Sequence, residues 1–225
     1  MEAAEVFQAI QTVIAPEAVE QALKKSNSHE ERKRKLPAGL VVCLVIAMSL
    51  WSSDSMTTVL SNLVNGLNRQ WTKLGQYWKT PVSSSISAAR QKLGCQAMSC
   101  LFHSIVKPLA ITETPEAFLG GLRVMAVDGT VLDVPDSQAN ARVFGYPGSR
   151  KGTRAAFPKV RVVLLIEAGT HLITDALLCP YRIGERVRAL KLLRSVSKSM
   201  RNRSFPPVKN EPTSPLWCML KIWLN

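Results

Sequence analysis

The sequence predicts an α+β protein: an all-helical amino-terminal part followed by a layer of strands and helix. Three observations carry that expectation. Apolar residues recur at helical spacing through most of residues 4–110. Strand-like runs rich in β-branched residues stand at Leu122, Lys159 and His171. The texture changes at Gly120-Gly121, after which the basic residues accumulate. A chain of 225 residues, 46% hydrophobic, is long enough to bury a sizeable core in one large domain or two small ones. The boundaries predicted are 1–115 for the helical part, 116–200 for the strand-bearing part and 201–225 for a divergent tail.

In the helical part, Val6, Phe7, Ile10, Val13 and Ile14 share one face. Pro16 restarts the helix, and Val19, Ala22 and Leu23 continue it. Residues 24–35 form a charged linker ending in Arg32-Lys33-Arg34-Lys35, read either as a solvated linker or as a phosphate contact. Pro37 favours the start of a helix reaching Trp51, apolar almost all round and therefore buried. Asp54 or Ser55 can cap the next helix, which runs to about Leu67. Trp71, Leu74, Tyr77 and Trp78 make an aromatic cluster, suited to a core or to stacking on bases. Ile86–Leu93, a turn at Gly94 and Ala97–Ala110 then give the outline of a helix-turn-helix.

The second part opens with a strand over 122–127 that ends on Asp128-Gly129. Two readings stay open there. A carboxylate at the end of a buried strand can hold a hard divalent cation, and Asp-Gly is also a leading hairpin signal. Val131–Val134 follows, and Pro135 stops it. Residues 136–158 read as an exposed basic loop, with Arg150, Lys151 and Arg154 as phosphate contacts. Lys159–Glu167 and His171–Leu178 form a hairpin across Ala168-Gly169-Thr170, and Gly184–Val196 forms an amphipathic helix. The first three strands are expected to be antiparallel neighbours in a mixed sheet. From residue 201 onward four prolines and no periodicity mark a segment expected to be poorly ordered.

The net charge is +13, and residues 122–209 alone hold sixteen Lys/Arg against six Asp/Glu. Such a surplus points to a polyanionic partner, with nucleic acid ahead of an anionic membrane. Leu40–Trp51, the longest apolar stretch, is well short of the ~20 residues that span a bilayer. The acidic start lacks the basic region of a signal peptide. Five cysteines without a Cys-x-x-Cys pair suggest neither a disulfide framework nor a zinc site, so reduced thiols and a cytoplasmic location are expected.

Four stretches together resemble the amino-terminal half of bacterial insertion-sequence transposases of the insertion element four family. Arg34-Lys35-Leu36-Pro37, leading into an apolar helix, resembles the start of that family's helical domain. Ser87-Ala88-Ala89-Arg90-Gln91-Lys92-Leu93-Gly94 is similar to its Ala-Arg-x-x-Leu-Gly segment. Ala126-Val127-Asp128-Gly129-Thr130, followed by Val134-Pro135-Asp136, resembles the strand bearing the first catalytic aspartate. Gly169-Thr170-His171 through Asp175-Ala176, then Gly184-Glu185-Arg186, resembles the hairpin and the following helix.

The resemblance implies a ribonuclease-H-like catalytic core of the DDE type, here incomplete. Two divalent cations, Mg²⁺ or Mn²⁺, held by two Asp and one Glu, would drive in-line displacement at phosphorus. Asp128 corresponds to the first metal ligand and catalytic residue. Arg90 and Lys159 join Arg150, Lys151 and Arg154 as expected DNA contacts. The implied partners are double-stranded DNA with terminal inverted repeats and a second copy of the chain, in a bacterial cytoplasm. The chain departs from the pattern at the second aspartate: no Asp follows Asp175, and Glu211 alone among acidic residues follows Glu185. Asp133, Asp136, Asp175 and Glu185 are the available substitutes, with Asp175 expected in a structural role. The expectation is a DNA-binding transposase fragment that is catalytically incomplete. The alternative is a non-catalytic DNA-binding module or competitor of a full-length transposase.

Overall fold

The computed structural model describes residues 10, 12–29, 35–66, 78–148 and 153–201, with side chains as far as Leu193. Within these, chain contacts define two compact units, one within Met1–Ile105 and one from Val106 onward.

Among the described residues the first unit holds the helices α1 (Pro16–Lys25), α2 (Ala38–Leu50), α3 (Met56–Gly66), α4 (Ser83–Leu93) and α5 (Gln96–Ile105). Proline at its first position starts α1, where the missing N–H costs nothing. Pro37 precedes α2 as anticipated. Of the two candidate caps for α3 the structure uses Ser55, whose Oγ accepts from the Thr58 amide at 3.2 Å. Almost every residue of α2 is apolar, and Leu40–Leu44 and Ala47 are buried, with Ser49 and Leu50 exposed at its end. Leu40 and Leu44 of α2 are fully buried, as are Leu60, Leu63 and Ile86, each stabilising the unit by about 2 kcal/mol relative to exposure. The aromatic cluster Trp71, Leu74 and Tyr77 lies outside the described residues, as do Arg32, Lys33 and Arg34.

The α4–α5 pair turns at Gly94, whose φ of +67° only glycine adopts without strain. The second helix stops at Ile105, five residues before the end read from the sequence. Pro108 discourages helical backbone just before it. The amides of Leu109 and Ala110 bond elsewhere, each donating at 2.9 Å to Glu167.

The second unit starts with a small hairpin, β1 (Phe118–Leu119) and β2 (Leu122–Arg123), closed by Gly120 and Gly121 at φ +57° and +79°. Strands β3 (Met125–Asp133), β4 (Lys159–Glu167) and β5 (Leu172–Pro180) form an antiparallel sheet in the order β3-β4-β5. Between β3 and β4 a short helix, α6 (Gln138–Phe144), occupies part of the segment expected to be loop, capped by Ser137. The last helix, α7 (Glu185–Arg201), follows β5. One sheet face carries Val160, Val162, Leu164 and Leu178 against Val134 and Phe144 of the α6 side. The other carries Val163 and Leu165 against Leu192 of α7.

Asp128-Gly129 is neither a strand end nor a turn. Strand β3 runs straight through it to Asp133, with Asp128 opposite Leu164 and Gly129 opposite Val163. Gly129 is absent from the glycines with positive φ, so nothing there reverses the chain. Val131 and Leu132 continue the alternation that a turn would have interrupted.

Glu167 ends β4 and is wholly buried. Its carboxylate accepts from the Leu109 and Ala110 amides, from the Thr170 hydroxyl and from the Arg123 guanidinium. Burial pushes its carboxyl up, but the bonds from Thr170, Ala110 and Leu109 and the Arg123 charge outweigh it, so the group sits below its ordinary value. These bonds hold Leu109 and Ala110 of the connector to the sheet. A carboxylate with a depressed folded-state value stabilises fully above its unfolded value and loses that contribution as pH falls through the folded one. We expect Glu167→Ala to destabilise this unit by roughly 3 kcal/mol. Native-state hydrogen exchange should show the Leu109 and Ala110 amides losing protection first.

Candidate functional site

Residues directly opposite in an antiparallel pair share a face. Asp128 lies opposite Leu164, itself opposite Ala176, so its side chain stands on the α6 face of the sheet. It is exposed, and Oδ1 accepts from the Gly129 amide at 2.8 Å. Thr130, two residues on, shares this face and is also exposed.

The other carboxylates do not join it. Asp175 lies opposite Leu165, on the α7 face, with Oδ1 accepting from the Ala176 amide at 2.8 Å. Glu185, at the start of α7, reaches the same face from above. It packs onto Gly129 so closely that a Cβ there would meet its Cδ at 2.4 Å, and its Oε2 lies 3.5 Å from Arg161. Gly129 thus leaves room for Glu185 behind the strand, while Asp128 points to the front. Asp133 pairs with Lys159 at 2.6 Å, across the β3–β4 rung they share. Asp136, just past the strand, accepts from the Tyr146 hydroxyl. Among the described residues no three His, Cys, Asp or Glu side chains converge as a metal site. Asp128 alone does not fit a two-cation centre, which needs carboxylates bridging and flanking both ions.

The predicted DNA contacts separate. Arg150 and Lys151 lie outside the described residues. Arg154 is exposed and stacks its guanidinium 4.5 Å from the centre of the Tyr146 ring. Lys159 spends its charge locally on Asp133. Arg90 is 5% exposed inside the helical unit, its Nη1 2.9 Å from the Met56 sulfur, with burial pushing its guanidinium down from its ordinary value. The link from Asp136 through Tyr146 to Arg154 was not read from the sequence, because α6 and the turn at Gly145 are what bring the three together.

The geometry defines a helical unit followed by an antiparallel sheet that displays one aspartate on its outer face, in a strongly basic chain. Comparison with known proteins shows what the chain is similar to. Residues 4–103 match the family model described as insertion element 4 transposase N-terminal. Over 180 residues the chain is 27% identical to transposase InsG for insertion sequence element IS4 of Escherichia coli K12, covering 79% of this chain and 38% of that protein. It is 23% identical to the putative transposase InsZ of the same organism, covering 80% of this chain and 57% of that one. The chain therefore spans 38% and 57% of the lengths of these two relatives. No solved structure matches it. Among the described residues no helix is long and apolar enough to cross a membrane.

The Tyr146 phenol is pushed above its ordinary value, first by donating to Asp136 and then by burial and the Asp136 charge, against the opposing pull of Arg154. Asp136→Asn removes the charge that disfavours phenolate, so the Tyr146 titration followed by NMR should move to lower pH. An unmoved titration would mean that the contact is not formed in solution.

Proposed function

We propose that this chain serves insertion-sequence DNA transposition as a DNA-binding polypeptide whose own residues do not complete the phosphoryl-transfer centre. The observation that carries the reading is the isolation of Asp128 among the described residues: Asp175 of β5 and Glu185 of α7 are on the opposite face of the sheet. The charge of +13 supports a polyanion as partner. The two relatives are named as transposases, which supports transposition as the process.

On this reading the second unit is the start of a ribonuclease-H-like DDE domain, and Asp128 is one ligand of a set that the described residues leave unfilled. Mg²⁺ or Mn²⁺ in the complete family supplies charge stabilisation at phosphorus. Here the chain's own contribution is the exposed carboxylate, held on a rigid strand by the Gly129 amide. The DNA is double-stranded and ends in terminal inverted repeats, the chain acts in the bacterial cytoplasm, and a homodimer would bring the two ends together. A chain that binds ends without cutting them would compete with an intact transposase, which is the second reading the same isolation of Asp128 favours.

Duplex carrying terminal repeats should bind in a salt-dependent titration and stay intact when Mg²⁺ or Mn²⁺ is added. Nicked product that disappears in Asp128→Ala would show that the ligand set is complete after all. Absence of binding at low salt would remove the DNA reading itself.

A further inference from the structure

The helical unit contains a half-open cleft of about 800 Å³. Its rim carries His29, Lys35, Lys79 and Lys92, and among the described residues no acidic side chain lines it. All four are exposed. Its floor is apolar, with Leu36, Val41 and Leu93 at its base. Its walls are tied in place. The Ser28 hydroxyl in the loop after α1 donates to the Leu93 carbonyl at 3.2 Å, and the Trp78 indole donates to the Lys35 carbonyl at 2.6 Å. Two helices, α2 and α4, begin at this cleft, neither with a side-chain cap nor an acidic residue in its first turn. Their positive ends add to the field of the lysines. A cleft with cations on its rim, hydroxyls of Thr80 and Ser85 between them and an apolar floor is matched to phosphates held at the edge with sugar carbons inside.

We propose that this cleft is the helical unit's seat for the phosphodiester backbone of DNA, with Lys35, Lys79 and Lys92 as its phosphate contacts. The proposal rests on the DNA-binding reading above and gives it a location. The contact lies where α2 and α4 begin. It does not lie at the Gly94 turn of the helix-turn-helix outline, nor at Arg90, whose guanidinium is inside the core. Phosphate contacts position a duplex without reading its sequence, so this surface supplies affinity and register.

The test is a salt-dependent anisotropy titration of the full chain on labelled duplex, comparing the wild type with Lys35→Gln/Lys79→Gln/Lys92→Gln and with the matching triple Lys→Arg variant. Thermal melting of each keeps folding in view, and these exposed positions should leave it unchanged. The Gln variant should lose about tenfold or more in affinity at low salt, with a slope of log affinity against log salt shallower by about two to three. The Arg variant should bind within about threefold of wild type. Wild-type binding with unchanged affinity and slope in the Gln variant would overturn the cleft while leaving the DNA reading intact. Equal loss in both variants would trace the effect to packing rather than charge and would also overturn it. A wild type that does not bind would remove the function and the cleft together.

Discussion

The register of β3 against β4 is the constraint on which the site depends. Side chains alternate along a strand with a period of two, so a slip of one residue moves every side chain to the other face. Pairing Asp128 with Leu164 places Met125 and Val127 inward against Leu192 and Ala189 of α7, and sends Asp128 outward. Burial of those apolar residues fixes the register. Once fixed, it also decides which acidic residues can meet. Asp175 is excluded from the face of Asp128 by the same alternation that builds the core, and Glu185 by the packing of α7 against the other face.

Glu167 performs a comparable service at the other end of the sheet. It is a fully buried carboxylate satisfied by two backbone amides, a hydroxyl and a guanidinium. Left unpaired, such a charge would be strongly destabilising; paired in this way it binds connector, hairpin and sheet into one unit. Arg123 completes the arrangement from β2 and also lies 5.0 Å from the centre of the Phe118 ring on β1.

Much of the architecture was legible because it follows from local rules. Pro16 and Pro37 announce α1 and α2, the all-apolar run predicts the buried α2, and Ala168-Gly169-Thr170 marks the β4–β5 turn. Features set by long-range contacts were not legible. Asp128-Gly129 is a strong turn signal by itself, and the strand survives because Val131 and Leu132 extend the ladder and Glu185 packs against the bare glycine. The last turn expected of α5 is lost to an acceptor 57 residues further along the chain. Arg90 reads as a basic surface residue in an Ala-Arg-x-x-Leu-Gly context, yet its spacing from Ile86 and Leu93 puts it on the buried side of α4. The candidate aspartate was found from sequence, but its isolation needed the register. The cleft at the starts of α2 and α4 gathers residues from 27 to 93, a grouping no short motif can reveal.

The central claim is that, among the described residues, no other carboxylate of the sheet shares the face of Asp128. Paramagnetic broadening of amide signals by Mn²⁺ in the full chain tests it most directly. The account predicts weak, non-saturating broadening confined to Asp128, Gly129 and their partners Val163 and Leu164 on β4. A tight, saturable site whose broadening reaches Asp175 or Glu185 together with Asp128 would contradict it.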